Sequence, residues 1–191
     1  MSDPTGHVDD EDVVALLMRQ HGQIRNLFDE AERATGDERR EAFQCLVRLL
    51  AMHETAEEEI VHPLARTTHE GAGDVVDQRL KEEREAKEHL SRMEDMDIAD
   101  ASFPAELATL RRLVMAHARA EERYEFMHLR RFVDPERLRS MANAVKSAES
   151  LAPTHPHPGI ESAKANVLLG PMAAITDRTR DAIRKAMGRN G

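Results

Sequence analysis

The chain has one cysteine, Cys45, one tyrosine and no tryptophan, and aromatic residues make up only 3% of it. A single thiol excludes an internal disulfide framework and any zinc site built from several cysteines. Glycine and proline are sparse before residue 150, which leaves too few turn residues for a β-sandwich or barrel. Positive charge is in the minority: 27 Lys and Arg stand against 36 Asp and Glu, for a formal charge of −9, which argues against general nucleic-acid affinity. Long apolar runs are also missing. The longest near the N-terminus, VVALLM, is flanked by acids and has no basic stretch before it, so neither a signal peptide nor a membrane span is expected. These absences leave a cytoplasmic, mostly helical protein whose 191 residues suit one domain with an extension.

What is present is helical periodicity. After an acidic leader over 1–9, expected to be disordered, Val14, Leu17, His21, Ile24, Phe28 and Ala31 recur in steps of three and four, the spacing of one helix face. A second seam reads Phe43, Leu46, Leu50, His53, Glu57, Ile60 and Leu64. A third, less regular, includes Val75, Ala86, His89 and Met93. The fourth reads Leu107, Leu110, Val114, His117, Glu121, Tyr124 and His128. Short breaks at ATGDE, TTHEGAG and DMDIADASF separate them, and Pro104 suits the first turn of a helix. Four long helices with short connections predict an all-α, antiparallel up-down four-helix bundle over 10–133. A short extra helix is expected over 134–150, then a Pro-rich linker over 151–160. A basic amphipathic helix follows over 161–191, where six Lys and Arg meet three Asp and Glu. That helix either packs on the bundle or docks a protein partner or surface.

Each seam carries a histidine: His21, His53, His89 and His117. Two carry a glutamate one turn later, Glu57 and Glu121, in the related phrases HETAEEEIVHP and HARAEERYEF. Residues four apart project from one helix face, about 6 Å from each other. A lone histidine on an apolar seam is usually a satisfied core group, but four on four helices would meet in one layer. Buried ionised carboxylates cost several kcal/mol each; mutual His–Glu pairing offsets part of that, and a metal cation offsets more. Four imidazoles and two carboxylates exceed one tetrahedral zinc. They suit two metals sharing carboxylates, with iron favoured and manganese or zinc as alternatives. His7, His62, His69, His128, His155 and His157 lie off the seams, in loops or too far along, and are not expected to be ligands.

The pieces RQHGQIRNLFDE, HETAEEEIVHP, EREAKEHL and HARAEERYEF, in this order, resemble the hemerythrin family in its broader HHE cation-binding form. The resemblance covers 10–133, and the tail segments PTHPHPG and GPMAAITDRTRDA look like those of bacterial members. It implies a di-iron centre held by His21, His53, Glu57, His89, His117 and Glu121. It also implies traffic with a small molecule such as dioxygen, peroxide or nitric oxide. Oxygen carriers of the family have a second histidine on the third helix where this chain has Glu85, and Glu121 and Glu122 fill both candidate spacings on the fourth. Glu54, Glu85 and Glu122 are therefore further candidate ligands, and Tyr124 a candidate proton or electron donor. The departures point away from reversible carriage, toward oxidation, peroxide turnover or an iron- or oxygen-responsive sensor whose tail is regulatory.

Overall fold

In the computed structural model, which describes residues 11–151 and 172–188, the chain is all helical, with no strand among the described residues. The leader, the Pro-rich linker with His155 and His157, and the first part of the expected C-terminal helix lie outside those residues. Four rods form the bundle. The first is α1 (Val13–Arg33). The second is α2 (Gly36–Ala56), continued through a π-helical turn, π1 (Glu57–Val61), into α3 (His62–Ala65). The third is α4 (Ala72–Glu94). The fourth is α5 (Phe103–Glu121), continued through a second π-helical turn, π2 (Glu122–Phe126), into α6 (Met127–Phe132). The first rod packs on the second and fourth, and the third on the fourth and on α3, which closes the ring of an up-down bundle.

Local chemistry sets the ends. Asp12 caps α1, its carboxylate accepting from the Ala15 backbone N–H at 2.7 Å. Gly71, at φ 84°, supplies the left-handed residue that lets the chain turn into α4, a conformation that costs a Cβ-bearing residue dearly. Pro104 sits in the first turn of α5. Asp134 opens α7 (Pro135–Leu151) by accepting from the Glu136 and Arg137 N–H groups.

The core is in two parts. One apolar cluster gathers Ile24, Phe28, Leu46, Leu50, Leu90, Phe103 and Leu107. The other gathers Val14, Leu17, Ile60, Val61, Phe126 and Leu129 with Leu138 and Val145 of α7. Along α1 the boundary falls between Leu17 and Ile24, where His21 stands. On the second rod it falls between Met52 and Ala56, where His53 stands, with Glu57 next to Ala56. A polar layer therefore divides the bundle.

The last helix, α8 (Met172–Ala186), spans this division from outside. It packs on α2 and α7, with Met172 and Ile175 in the first cluster and Ile183 in the second. Of the two readings its composition allowed, packing on the bundle is the one observed.

The Asp12 cap gives a measurable outcome. Burial pushes the Asp12 carboxyl up, but Arg130, which binds it through two nitrogens at 3.0 and 3.1 Å, and the helix N–H groups outweigh this and hold it below the usual aspartate range. A lowered folded pKa contributes stability above the unfolded value, and that contribution is lost as pH falls through the folded one. Asp12→Ala should thus cost about 1 kcal/mol at neutral pH, measured by urea unfolding. The gap to the parent chain should narrow at pH 3.

Candidate metal centre

Three groups of buried side chains each bring their ligand atoms within 4.8 Å of one another: His21, His53, Glu57 and Glu121; Glu57, Glu83, His117 and Glu121; and His62, Glu121 and Glu125. Glu57 and Glu121 belong to the first two groups together. Five of the six residues expected from the sequence are in these groups. His89 is not.

Three of the four seam histidines have an outer acceptor at Nδ1. His21 donates through Nδ1 to Glu122 at 2.8 Å, His53 through Nδ1 to Gln20 Oε1 at 2.7 Å, and His117 through Nδ1 to Glu82 at 3.3 Å. In each ring the other nitrogen, Nε2, faces the layer, where the neutral ring would present its lone pair to a cation. His21 Nε2 lies 3.0 Å from His53 Nε2 and 3.4 Å from Glu121, His53 Nε2 lies 3.0 Å from Glu57, and His117 Nε2 lies 3.4 Å from Glu121. An imidazole that gives its distal N–H to a carboxylate or amide and turns its other nitrogen inward has the arrangement typical of a metal-ligating histidine with its orienting partner. Gln20 is itself fixed, donating to Glu149 of α7 at 2.7 Å, so the extra helix takes part in aiming His53.

The carboxylates say the same thing. Both oxygens of Glu57 and both of Glu121, along with His117 Nε2 and one oxygen of Glu125, are buried with no hydrogen-bond partner among the described residues. Orphaned polar atoms on this scale are rare in a core, and here they converge. Burial pushes Glu57 up, but His53 and His117 outweigh it and hold it low; Glu121 is driven well up by burial and by the charge of Glu57. The physical content is that the two carboxyls cannot both ionise unaided, so without a cation one keeps its proton. Burial pushes His117 down, yet Glu121 and Glu57 hold it well above the usual range. The donor set is what a bound cation requires, and the residues present fit one.

The π-helical turns explain what the seams did not foretell. In π1 the His62 N–H reaches back to the Glu57 carbonyl, so residues five apart fall on one side of the rod. His62, off the seam of a straight α-helix, is thereby turned inward. It donates through Nδ1 to Glu125 at 2.8 Å and binds Glu83 through Nε2. Burial pushes it down, but Glu125 and Glu83 raise it to about 11. In π2 the same slip buries Glu125 and leaves Tyr124, the expected seam residue, 49% exposed at the surface.

On α4 the buried positions are Ala72, Val76, Arg79, Glu83, Ala86, His89, Leu90 and Met93, so Glu83 and His89 both face inward but at different levels. His89 lies six residues beyond Glu83, about 9 Å along the helix. There it donates through Nε2 to the Glu106 carbonyl at 3.0 Å and accepts from Arg92 at 3.2 Å. It pins α4 to the start of α5 and is satisfied without a metal. Glu85 is exposed. Glu54 is buried behind the layer with Lys87 3.4 Å away; burial raises it to about 7 against the pull of that lysine. Glu122 serves as the partner of His21. His62, Glu83, Glu125 and Gln20 were missed. Only Glu83 left a signal, in the step from Val76 through Arg79 to Ala86.

Four rods with an interior His and Glu layer define a cation-binding helical bundle. Residues 12–129, more than half the chain, match the hemerythrin HHE cation-binding domain, and the chain belongs to that family. Neither the comparison with curated proteins nor that with solved structures gave a match. No helix among the described residues is long and apolar enough to cross a membrane.

Glu83→Gln should lower the metal content measured by elemental analysis, and Glu85→Gln should leave it unchanged. His62→Ala leaves two buried carboxylates facing each other, and should destabilise the metal-free protein by about 3–5 kcal/mol in chemical unfolding. A loss below 1 kcal/mol would show that the His62 pairing contributes little.

Proposed function

We propose that the layer holds two iron ions, and that the protein is a carboxylate-rich non-haem di-iron protein that reacts with dioxygen or peroxide and does not carry oxygen reversibly. The observation that carries this reading is the sharing of Glu57 and Glu121 by two adjacent ligand groups. His21 and His53 would complete one position, and His117 and Glu83 the other, with His62 and Glu125 beside them. Mixed imidazole and carboxylate donors with open positions favour iron over a closed tetrahedral zinc.

When bound, two ferrous ions supply two electrons to dioxygen or peroxide. The chain's own part is electrostatic and positional. Glu57, Glu83, Glu121 and Glu125 put four carboxylates against three seam imidazoles and His62. Such a surplus of negative charge favours the more highly charged ferric state. Glu122, Gln20 and Glu82 hold the rings so that the lone pairs need no reorganisation. The apolar clusters above and below keep bulk water out of the layer. His62, bridging Glu83 and Glu125, is placed to hold a proton beside the centre.

Protein loaded under reducing conditions should contain about two iron ions per chain. Mixed with dioxygen, it should convert to a ferric spectrum that does not revert when the gas is removed. A single zinc per chain with no iron uptake would overturn the metal reading. A long-lived species reversed by removing dioxygen would move the protein to the carriers.

One contact favours the sensor reading as a companion. Arg184 grips the Glu59 carboxylate through Nε and a terminal nitrogen, both at 2.9 Å, and Arg180 binds it at 3.1 Å. Glu59 stands on the outer side of π1, two residues from Glu57. The tail helix is thus tied to the turn that presents a ligand, and cation binding that tightens the turn should tighten α8. Hydrogen exchange of α8 amides should slow on loading with iron. Equal exchange with and without the metal would remove the coupling.

A further inference from the structure

The residues of the layer are sealed, so a cation needs a way in. Among the described residues, two cavities reach side chains of the layer. The larger, of about 550 Å³ between α1 and α5, reaches His21 and is bordered by Arg25, Arg111, Arg112 and Arg119. Guanidinium groups are charged at every working pH, and a mouth lined by four of them repels a divalent cation even where acids share the border. The smaller lies between the 65–76 segment and the π2–α6 rod. Its volume is about 10 Å³, room for one water or ion.

Donors line this smaller cavity from the surface inward. Thr68, His69, Tyr124, Glu125 and His128 border it with a few small apolar side chains. His128 Nδ1 is buried with no hydrogen-bond partner among the described residues, and so is one oxygen of Glu125. The other Glu125 oxygen accepts from His62, inside the third ligand group. His128, Glu125 and Glu121 follow one another by about a turn along the same rod, a ladder of donors ending at a shared ligand of the layer. The His69 and His128 rings stack with centroids 4.3 Å apart, and both also stack on Phe132.

We propose that His69 and His128 form a transit site for the incoming divalent cation, which passes from them to Glu125 and from Glu125 into the layer. The proposal rests on the layer being a metal centre. It is a route and not a third resident site. Neither histidine belongs to a ligand group. Rings stacked at 23° also hold their lone pairs in nearly parallel planes, and cannot both reach one ion at a bond length of about 2.1 Å. To bind, the rings swing apart, and because both border the cavity that same movement opens it. Imidazole suits the task because it binds ferrous and cobaltous ions and exchanges them readily toward a carboxylate-rich interior.

A residue on the route changes the rates of loading and unloading equally and leaves the affinity alone. His128→Phe keeps the aromatic stack and removes the nitrogens. Release of cobalt from the loaded full-length protein to a chelator, and anaerobic uptake of cobaltous ion by the stripped protein, should both slow by about tenfold or more. The final stoichiometry and melting temperature should match the parent. His69→Ala with His128→Phe should slow both further. Arg119→Glu, at the other cavity, should change neither rate. Unchanged or faster exchange in His128→Phe overturns the route, as does faster uptake in Arg119→Glu, which would place the door at the arginine groove. Fewer ions bound by His128→Phe would make His128 a resident ligand and also overturn it. A parent protein that takes up no cation sinks the metal centre itself, an outcome distinct from a parent that loads fully at a rate the variants share.

Discussion

Glu57 and Glu121 place four carboxylate oxygens in one buried layer, where none has a hydrogen-bond partner among the described residues. The mutual repulsion of those two groups organises the molecule around it. Desolvation costs several kcal/mol for each ion, and imidazoles alone remove only part of the penalty. The three seam histidines therefore turn their Nε2 atoms inward, and their outer nitrogens need acceptors. Glu122, Gln20 and Glu82 are those acceptors. Gln20 in turn needs Glu149, which draws α7 into the arrangement. A cation in the layer would meet every one of these demands at once, which is why the family membership and the geometry lead to the same place.

The rods cannot deliver so many groups to one level while remaining straight α-helices. An α-helix offers a given level one residue per turn, at steps of three or four. The π-helical turns at 57–61 and 122–126 relax that limit by inserting a residue into each rod just beyond its His and Glu pair. Each turn brings a further donor to the layer, His62 on one rod and Glu125 on the other, and these bind each other. The same slip moves Tyr124 to the surface. That leaves its ring half-exposed, as part of the wall of a narrow cavity.

Much of this was legible in the sequence because it follows from periodicity. The bundle, the four rods and the inward placement of His21, His53, Glu57, His117 and Glu121 all come from seams of three and four. What was not legible departs from that rule or hides behind it. His62 and Glu125 depend on a backbone hydrogen-bond pattern that no side-chain spacing announces. On α4, reading the face from Val75 instead of Val76 rotates it by one residue, which favours His89 and conceals Glu83. His89 shows the opposite lesson: buried and hydrogen-bonded through both ring nitrogens, it does structural work that its residue type does not advertise.

The layer also accounts for the elements wrapped around the bundle. A core cut in two by polar groups loses the continuous apolar contact that lets four helices hold each other, and each half alone is small. The α7 helix thickens the half nearer the chain start with Leu138, Met141 and Val145. The α8 helix crosses the cut on the outside, with Met172 and Ile175 on one half and Ile183 on the other. It anchors to Glu59 between them, on the outer face of the turn that the interior chemistry requires. A π turn is a weaker hydrogen-bonding geometry than the helix it interrupts, so a brace at that point does more for the fold than the same ion pair placed elsewhere. The strap lies where the polar layer weakens the bundle, and the weakness and the function share one cause.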